Sequence, residues 1–291
     1  MTISMGYLAA ERDAIIALVK TMPVHSAPSN EALSIHRAAM AVVDRFSLFL
    51  NNIIERFADP IKGLVDFKAT SNSAQFREVM NLEKALDKTS YLDLTTIRVQ
   101  VIPGLSVTWL ELLTSWEIPI NFSVNFYDDY LNPFEKFLAL SVTDPEKFST
   151  LGSINTIEQL DIDSHITALT QGLKGNAKTN LRAYGECTGR NKDTIEAYRK
   201  TLEFSRALHK GNLDLVKGSV ENTSKLIETL SRQIKDSNLP YRLNAKTVTD
   251  LTELVFQMAK MTELYAATFT YMESQKVAMD ETAKKLISIA K

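Results

Sequence analysis

The densest group of side chains that could bind a metal ion or act in catalysis is Asp161-Ile162-Asp163-Ser164-His165. In an extended segment, Asp161, Asp163 and His165 would point to one face, where two carboxylates and an imidazole could hold a divalent ion. The same residues also suit a helix N-terminus, with Asp163 or Ser164 capping the run from His165 to Leu173. We favour the cap, and we predict no catalytic, cofactor-binding or metal site.

The segment from Gly185 to Thr194 shares glycines and a lysine with phosphate-binding loops. Such a loop needs four residues between its glycines and a lysine directly after the second one. Here three residues separate Gly185 from Gly189, and Lys192 comes three positions later. We also predict no preceding strand, so a loop into a helix capped near Asp193 or Thr194 is the better interpretation.

The remaining reactive side chains lack activating neighbours. The single cysteine, Cys187, follows Glu186 rather than a base, and it cannot form an internal disulfide. The histidines show no metal-binding spacing, and we expect a structural role for each of the four: His25, His36, His165 and His209. His209 falls near the end of a predicted helix, where a cation suits the helix dipole. The expected protein is therefore not an enzyme.

Composition and charge are those of an ordinary folded chain. Apolar residues make up 45% and charged residues 23% of the 291 residues, which is enough for a sizeable core. The 33 basic and 35 acidic side chains give a net charge of -2, which requires neither nucleic acid nor an anionic membrane as a partner. We find no secretory signal and no charge-free stretch long enough for a membrane helix, so we expect a soluble protein.

One region is locally basic. Residues 176 to 210 contain four acidic and eight basic side chains, the latter being Lys178, Arg182, Arg190, Lys192, Arg199, Lys200, Arg206 and Lys210. An accessory protein that binds nucleic acid through residues 178–210 is therefore an alternative function. A solvated helix face with pairs such as Glu196–Lys200 is commoner, and we do not expect nucleic acid as a partner.

The elements that must position these groups are mainly helical. Only 10 glycines and 8 prolines occur, and such sparse punctuation favours long helices over the many turns of an all-β protein. We predict three successive domains: an N-terminal helical bundle over 1–90, a small mixed α+β segment over 91–160, and a C-terminal helical hairpin or three-helix bundle over 161–291.

In the first domain, Ser29 or Asn30 is predicted to cap a long helix that ends near Asp59, just before Pro60. Its apolar residues recur at steps of three and four, which predicts a buried stripe of Ala39, Val42, Val43, Phe46, Phe49, Leu50, Ile53, Ile54 and Phe57. A second helix is predicted to follow the cap cluster Ser71-Asn72-Ser73 and to bury Phe76, Val79, Met80 and Leu86.

The middle segment has two stretches of alternating apolar residues. Ile97, Val99 and Val101 alternate with polar residues, which predicts a strand that ends at Pro103. The stretch from Ile118 to Phe126 alternates as well and predicts another strand. Helical steps between the two predict a helix that carries Trp109, Leu112, Leu113 and Trp116. A further helix over 127–140 is predicted to be interrupted or begun at Pro133.

Helices are predicted in the last domain at 192–209, 212–236 and 243–288, with short connections that imply antiparallel neighbours. The last helix carries a heptad-like seam of twelve positions from Leu251 to Ile289, of which nine are apolar or aromatic. About 46 residues would extend roughly 70 Å, well beyond the seam of the preceding helix. We expect the distal half, from Tyr265 to Ile289, to project and bind a second copy or another protein. Complete coverage by its own chain is the alternative.

The residues predicted to bind a partner are the large apolar side chains of two surfaces. Six lie on this seam and two in an aromatic block over 109–137: Met258, Met261, Tyr265, Met272, Met279 and Leu286, with Trp109 and Trp116. Methionine suits such a surface because its side chain adapts to its partner.

Two stretches carry a resemblance to a class of proteins. The block Ile118-Pro119-Ile120-Asn121-Phe122 through Tyr130-Leu131-Asn132-Pro133-Phe134-Glu135-Lys136-Phe137 and the Met-, Thr- and Ala-rich helix Met261 to Lys291 resemble virion structural proteins of large tailed bacteriophages. The resemblance covers about half of the chain, and no functional residue can be carried over. It implies a non-enzymatic protein of the capsid, neck or tail that works in many copies and assembles in the host cytoplasm.

The leading hypothesis is therefore a structural or assembly protein that forms oligomers or complexes through its helices. The alternatives are the nucleic-acid-binding protein described above and an enzyme with an unrecognised site near Asp161, Asp163 and His165.

Overall fold

The computed structural model describes residues 4–21, 29–64, 72–88, 97–101, 108–143, 180–209, 212–236 and 245–290. Most of them, 92%, are helical, so the predicted mainly α class, with a small sheet and a long C-terminal helix, is confirmed. None of the helices in these ranges combines the length and the apolar character that crossing a membrane requires.

Helices dominate the order of elements. It is α1 (Met5–Lys20), α2 (Ser29–Lys62), α3 (Asn72–Lys88), β1 (Arg98–Val101), α4 (Trp109–Ser115), α5 (Glu117–Phe126), a π-helical turn (Tyr127–Leu131), α6 (Asn132–Thr143), β2 (Asn180–Ala183), α7 (Tyr184–Cys187), α8 (Asn191–His209), α9 (Asn212–Asp236) and α10 (Ala245–Ile289). The two strands form one antiparallel pair, in which Val99 lies opposite Arg182. The strand predicted around Val99 is therefore confirmed.

The chain folds into two compact units, and each is assembled from three separate ranges. The first unit comprises 1–63, 127–160 and 215–263, and the second comprises 64–126, 161–214 and 264–291. These units are interleaved along the sequence, whereas we predicted three consecutive domains. Local sequence patterns do not show which distant segments pack together. They therefore cannot predict that two units are interleaved along the chain. The short connection predicted between the helices over 212–236 and 243–288 lies outside the described residues.

Helix α2 contacts α1, α6 and α9 of the first unit. Its predicted stripe is buried at Val42, Val43, Phe46, Phe49, Leu50, Ile53 and Phe57, while Ile54 is half-buried. Phe57 meets Phe134 of α6 edge to face, with ring centroids 6.4 Å apart. The prediction that this helix ends near Asp59 is wrong, because α2 continues past Pro60 to Lys62. Pro60 has no N–H and cannot donate a backbone hydrogen bond within the helix. Burial of Ile61 stabilises this last turn of α2.

Polar contacts join the helices of the first unit. Ser47 of α2 and Ser231 of α9 share a hydrogen bond of 2.7 Å between their hydroxyls. The carboxylate of Glu135 on α6 accepts hydrogen bonds from Ser219 and Asn222 of α9. These hydrogen bonds pair polar side chains that face each other between the helices.

The prediction of a strand over Ile118–Phe126 is wrong, because these residues belong to helix α5. Its buried residues recur at helical spacing: Pro119, Ile120, Phe122, Ser123 and Phe126. Pro119 lies in the first turn, where the missing N–H would have no helical partner anyway. The alternation of apolar residues in this stretch therefore results from two neighbouring rows of side chains on a helix. It does not reflect the two faces of a strand.

The backbone widens to the π-helical turn Tyr127–Leu131 directly before α6. Pro133 cannot donate a hydrogen bond to the carbonyl of Asp129, four residues earlier, and its ring would crowd that carbonyl. A wider turn is one way in which a helix accommodates such a residue. The predicted interruption at Pro133 is confirmed in this form.

Helix α3 begins at Asn72, within the predicted cap cluster rather than after it, and buries Val79, Leu82 and Leu86. The prediction that Met80 faces inward is wrong, because its side chain is 55% exposed. Met80 directly follows Val79 and therefore lies about 100° away around the helix, outside the buried row. Phe76 is half-buried.

Candidate functional site

A row of polar side chains joins α8 to the distal part of α10 within the second unit. Tyr198 donates a hydrogen bond of 2.8 Å to Oδ1 of Asp280, and Ser205 donates one of 2.6 Å to Oε1 of Glu273. Going from Tyr198 to Ser205 advances α8 by seven residues, while their partners move back by seven along α10. The two helices are therefore antiparallel here, with rungs two turns apart. We call the following six residues the polar ladder: Tyr198, Ser205, His209, Glu273, Lys276 and Asp280.

Helix α8 presents these groups because its sequence is amphipathic. Its buried residues include Ile195, Tyr198, Leu202, Ser205 and Leu208, which recur at steps of three and four. On α10 the corresponding row is Phe269, Glu273, Lys276 and Asp280, again at steps of three and four. This row adjoins the predicted seam, and its spacing is the signal that could have identified it in the sequence.

Glu273 is the centre of the polar ladder. Nε2 of His209 lies 3.0 Å from its Oε1, in a close polar contact whose direction is poor for a ring N–H donor. Nζ of Lys276 lies 3.4 Å from its Oε2. The ring of Phe269 meets His209 edge to face, with centroids 4.8 Å apart. Glu273 and Lys276 are only 7% and 2% exposed, so each needs the other's charge.

The contacts of Glu273 keep its carboxylate ionised. Burial by itself would raise the pKa of this side chain, but the contacts with His209 and Ser205 and the charge of Lys276 together lower the pKa below its ordinary value. The ionised form therefore predominates at neutral pH.

The combination of a serine, a histidine and a glutamate invites comparison with a nucleophilic triad. In a triad the histidine lies between the other two, so that it can take the proton of the serine. Here Ser205 and His209 both contact the same atom, Oε1 of Glu273. The arrangement uses the hydroxyl of Ser205 as a donor to a carboxylate, and it is suited to holding two helices together.

The eight residues predicted to bind a partner are all buried within the chain. Their exposed fractions do not exceed 7%: Met258, Met261, Tyr265, Met272, Met279, Leu286, Trp109 and Trp116. The expectation that the distal half of α10 projects is therefore wrong for the seam from Tyr265 to Leu286. Coverage by the chain itself, the alternative interpretation, is what the structure has.

Aromatic residues from earlier in the chain pack against the distal half of α10. Phe126 of α5 stacks on Tyr265 with ring centroids 5.1 Å apart, and Trp116 lies against Tyr271 at 4.9 Å. The preceding helix α9 is thus not the only element that can cover the seam, because residues of α5 and the end of α4 also pack against α10.

Trp109 belongs to a small buried cluster rather than to a binding surface. Its ring lies 6.2 Å from that of Tyr184, whose hydroxyl is 2.7 Å from that of Thr194. Burial raises the pKa of Tyr184 to about 12. The aromatic block predicted as a second surface therefore contributes both of its tryptophans to the core.

What α10 presents to solvent in its distal half is a narrow row, which we call the distal stripe: Val277, Glu281, Lys284, Lys285, Ser288 and Ile289. Val277 and Ile289 are 56% and 45% exposed. Lys284 pairs with Asp280 at 2.6 Å, and Lys285 donates a hydrogen bond to the backbone carbonyl of Arg98. Apolar side chains thus lie at both ends of the row and charged ones between them.

The basic region over 178–210 is largely neutralised by acidic neighbours. Ion pairs join Arg182 to Glu186, Arg190 to Asp193, Arg199 to Glu83 and Lys200 to Glu196, at 3.2, 3.1, 2.7 and 3.5 Å. The predicted Glu196–Lys200 pair is confirmed. Lys178 and Lys210 lie outside the described residues. The face of α8 therefore has the mixed charge of a solvated helix.

Strand β2 precedes the segment from Gly185 to Thr194, and the first residues of the segment lie in helix α7, so our expectation that no strand precedes it is wrong. The four residues of β2 pair with distant β1, and so short a segment has no periodicity of its own. The predicted cap is also misplaced, because α8 already begins at Asn191. Cys187 of α7 is buried, and burial raises the pKa of its thiol to about 11, which keeps it protonated at neutral pH.

Two other candidate groups cannot be placed. Asp161, Asp163 and His165 lie outside the described residues, as does His25, and the side chain of His36 is not among those described. Within the ranges that the structure describes, no three His, Cys, Asp or Glu side chains lie together as a metal site requires.

Comparison with known proteins gives no relative. No protein-family model matches the chain, and neither the curated proteins nor the solved structures contain a match.

Proposed function

We propose that this protein is a non-enzymatic structural or assembly component of a multi-copy particle, such as the capsid, neck or tail of a bacteriophage. It associates with copies of itself or with other proteins through the distal half of its C-terminal helix. Self-association is the form of the proposal that the mass of the chain in solution tests.

The observation that carries this proposal is the use of charged groups in the polar ladder. Glu273 and Asp280 are the acidic groups of this row, and each accepts a hydrogen bond from α8 and pairs with a lysine of its own helix. Side chains that could take part in chemistry are thus committed to joining helices. This is the pattern expected of a protein whose function lies in its shape and its contacts.

The length of α10 also supports a structural role. It is a continuous helix of 45 residues, about four times the mean length in globular proteins. Buried residues lie along both the part that belongs to the first unit and the part that belongs to the second, for example Phe256 and Phe269. Such a helix forms part of the core of each unit.

The surface available for association is the distal stripe rather than the seam. The seam residues are buried and cannot meet a partner in the folded chain. Val277 and Ile289 are exposed on the same helix, twelve residues apart, and Glu281 and Lys285 between them can form ion pairs across an interface.

The proposal is tested by the mass of the purified full chain in solution. Light scattering at micromolar concentration should give a multiple of the 32.6 kDa of one chain. A stable monomer over the accessible concentration range would overturn self-association.

A further inference from the structure

We propose that the polar ladder is a register device, which selects one antiparallel alignment of α8 on α10 from those that apolar packing alone would allow. The inference rests on the contacts between the two helices and does not depend on the proposed function.

Apolar contacts between two such helices do not define the alignment by themselves. Both helices bury side chains at steps of three and four, so a shift by seven residues again places buried rows opposite each other. Ile195 and Leu202 on α8 are separated by seven residues, as are Met272 and Met279 on α10, and all four are buried. These apolar rows alone therefore do not distinguish one alignment of α8 on α10 from the next.

A shift of seven residues in one direction separates most of the polar partners. Ser205 would come opposite Asp280 and keep an acceptor. However, His209 would come opposite Lys276 instead of Phe269, and the hydroxyl of Tyr198 would meet Ile287. Two basic side chains, His209 and Lys276, would thus face each other. The buried hydroxyl of Tyr198 would lose its acceptor.

A shift by seven residues in the opposite direction separates a different pair, Ser205 and Glu273. Tyr198 would come opposite Glu273 and could still donate a hydrogen bond. Ser205 would come opposite Ala266, which offers no side-chain acceptor, and Asp280 would lose Tyr198. Neither shifted alignment keeps both hydrogen bonds between the helices.

The free energies of buried polar groups explain why the polar ladder selects one alignment of α8 on α10. It does not simply stabilise the contact between the two helices. A buried ion pair adds little net stability compared with apolar side chains of similar size, but an unpaired buried charge is strongly unfavourable. A buried hydrogen bond behaves in the same way, since leaving a donor or acceptor unsatisfied costs more than the bond itself contributes. The polar ladder therefore acts chiefly by excluding the shifted alignments.

The test compares distances between α8 and α10 in the full chain. Cys187 is replaced by alanine, and spin labels are attached at Arg206→Cys and Glu281→Cys, two exposed positions of the second unit. Labelled chain is diluted with unlabelled chain so that double electron–electron resonance reports distances within one molecule. A shift by seven residues moves one label by about 10 Å along the helix axis.

The wild-type polar ladder should give a single narrow distance. In the apolar variant, which combines Y198F, S205A, H209L, E273L, K276L and D280L, a second distance population should appear while the helical circular dichroism signal is retained. A smaller variant, S205A with E273L and K276L, should show the same population at a lower fraction. The control is Thr201→Val, because Thr201 is equally buried but donates its hydroxyl within α8, to Ala197.

Three results would overturn the proposal. A single unchanged distance in both variants would mean that the rest of the fold sets the alignment. Loss of the helical signal in both variants would mean that the row is needed for folding itself and does not merely select among packed alignments. A second population in the Thr201→Val control would show that any change in this interface permits the shift, and would also contradict the inference.

Discussion

Ser205 donates a hydrogen bond of 2.6 Å to the carboxylate of Glu273, which lies 68 residues further along the chain. This contact joins α8 to the distal part of α10 and leaves Glu273 with its remaining oxygen for Lys276. The buried carboxylate of Glu273 therefore serves to join two helices. It also makes the stability of this unit sensitive to the charge of a single side chain.

Glu273→Gln should destabilise the protein by about 3 kcal/mol, because Lys276 would keep a buried positive charge without its partner. Urea denaturation followed by circular dichroism measures the change. Glu203→Gln, at an exposed position of α8, is the control and should change stability by less than about 0.5 kcal/mol. Equal stability of the two variants would show that the ion pair contributes nothing.

Acid should reduce the contribution of Glu273. The pKa of this carboxyl is lower in the folded chain than its ordinary value, so its stabilising effect is complete above the pKa of the unfolded chain, about 4.3, and is lost as the pH falls through the folded value. The stability difference between wild type and Glu273→Gln should therefore be largest near neutral pH and should shrink below about pH 4.3. A difference that grows in acid would contradict the assignment of this charge.

Met272→Asp should unfold the protein rather than only weaken its association. The side chain of Met272 is 1% exposed, so the variant loses apolar packing and places an unpaired carboxylate in the core, at a cost of about 4 kcal/mol or more. Thermal denaturation measures this effect. Met80→Asp, at a position that is 55% exposed, is the matched control and should be nearly neutral. A folded Met272→Asp variant with altered mass would restore the seam as a binding surface.

Gly218→Ala should stabilise the protein by about 0.5–1 kcal/mol, because glycine is a poor helix former in an exposed helix interior. Gly218 lies within α9, and an added Cβ would meet no atom within 4 Å. The melting temperature should rise accordingly. A lower melting temperature would indicate that this face of α9 is covered in solution.

Local signals in the sequence predicted the long helices well. The bounds of α9 agree with the prediction, and those of α8 and α10 differ by one or two residues. These helices could be predicted because apolar periodicity and prolines are signals within a single element. The stretch from Ile118 to Phe126 failed because two adjacent helical rows imitate the alternation of a strand. Short apolar segments carry too few turns to distinguish the two periods.

The spacing of the polar row on α10 can be read from the sequence, but its partners on α8 could not be predicted because they are distant in sequence. Tyr198 and Asp280 are 82 residues apart, and nothing in either neighbourhood identifies the other. Burial of the seam escaped prediction for the same reason, since Phe126 and Trp116 approach α10 from helices that lie far earlier in the chain. Periodicity identifies which face of a helix is buried, but not which element covers it.

The most direct test of the account is the mass of a variant in which the distal stripe is charged. Sedimentation equilibrium is measured on wild type, on Val277→Asp combined with Ile289→Asp, and on Leu215→Asp as a control at an exposed apolar position of α9. We predict an oligomer for wild type and for the control, and a folded monomer of 32.6 kDa for the double variant. A wild-type chain that is monomeric, or a double variant with the wild-type mass, would contradict association through the C-terminal helix.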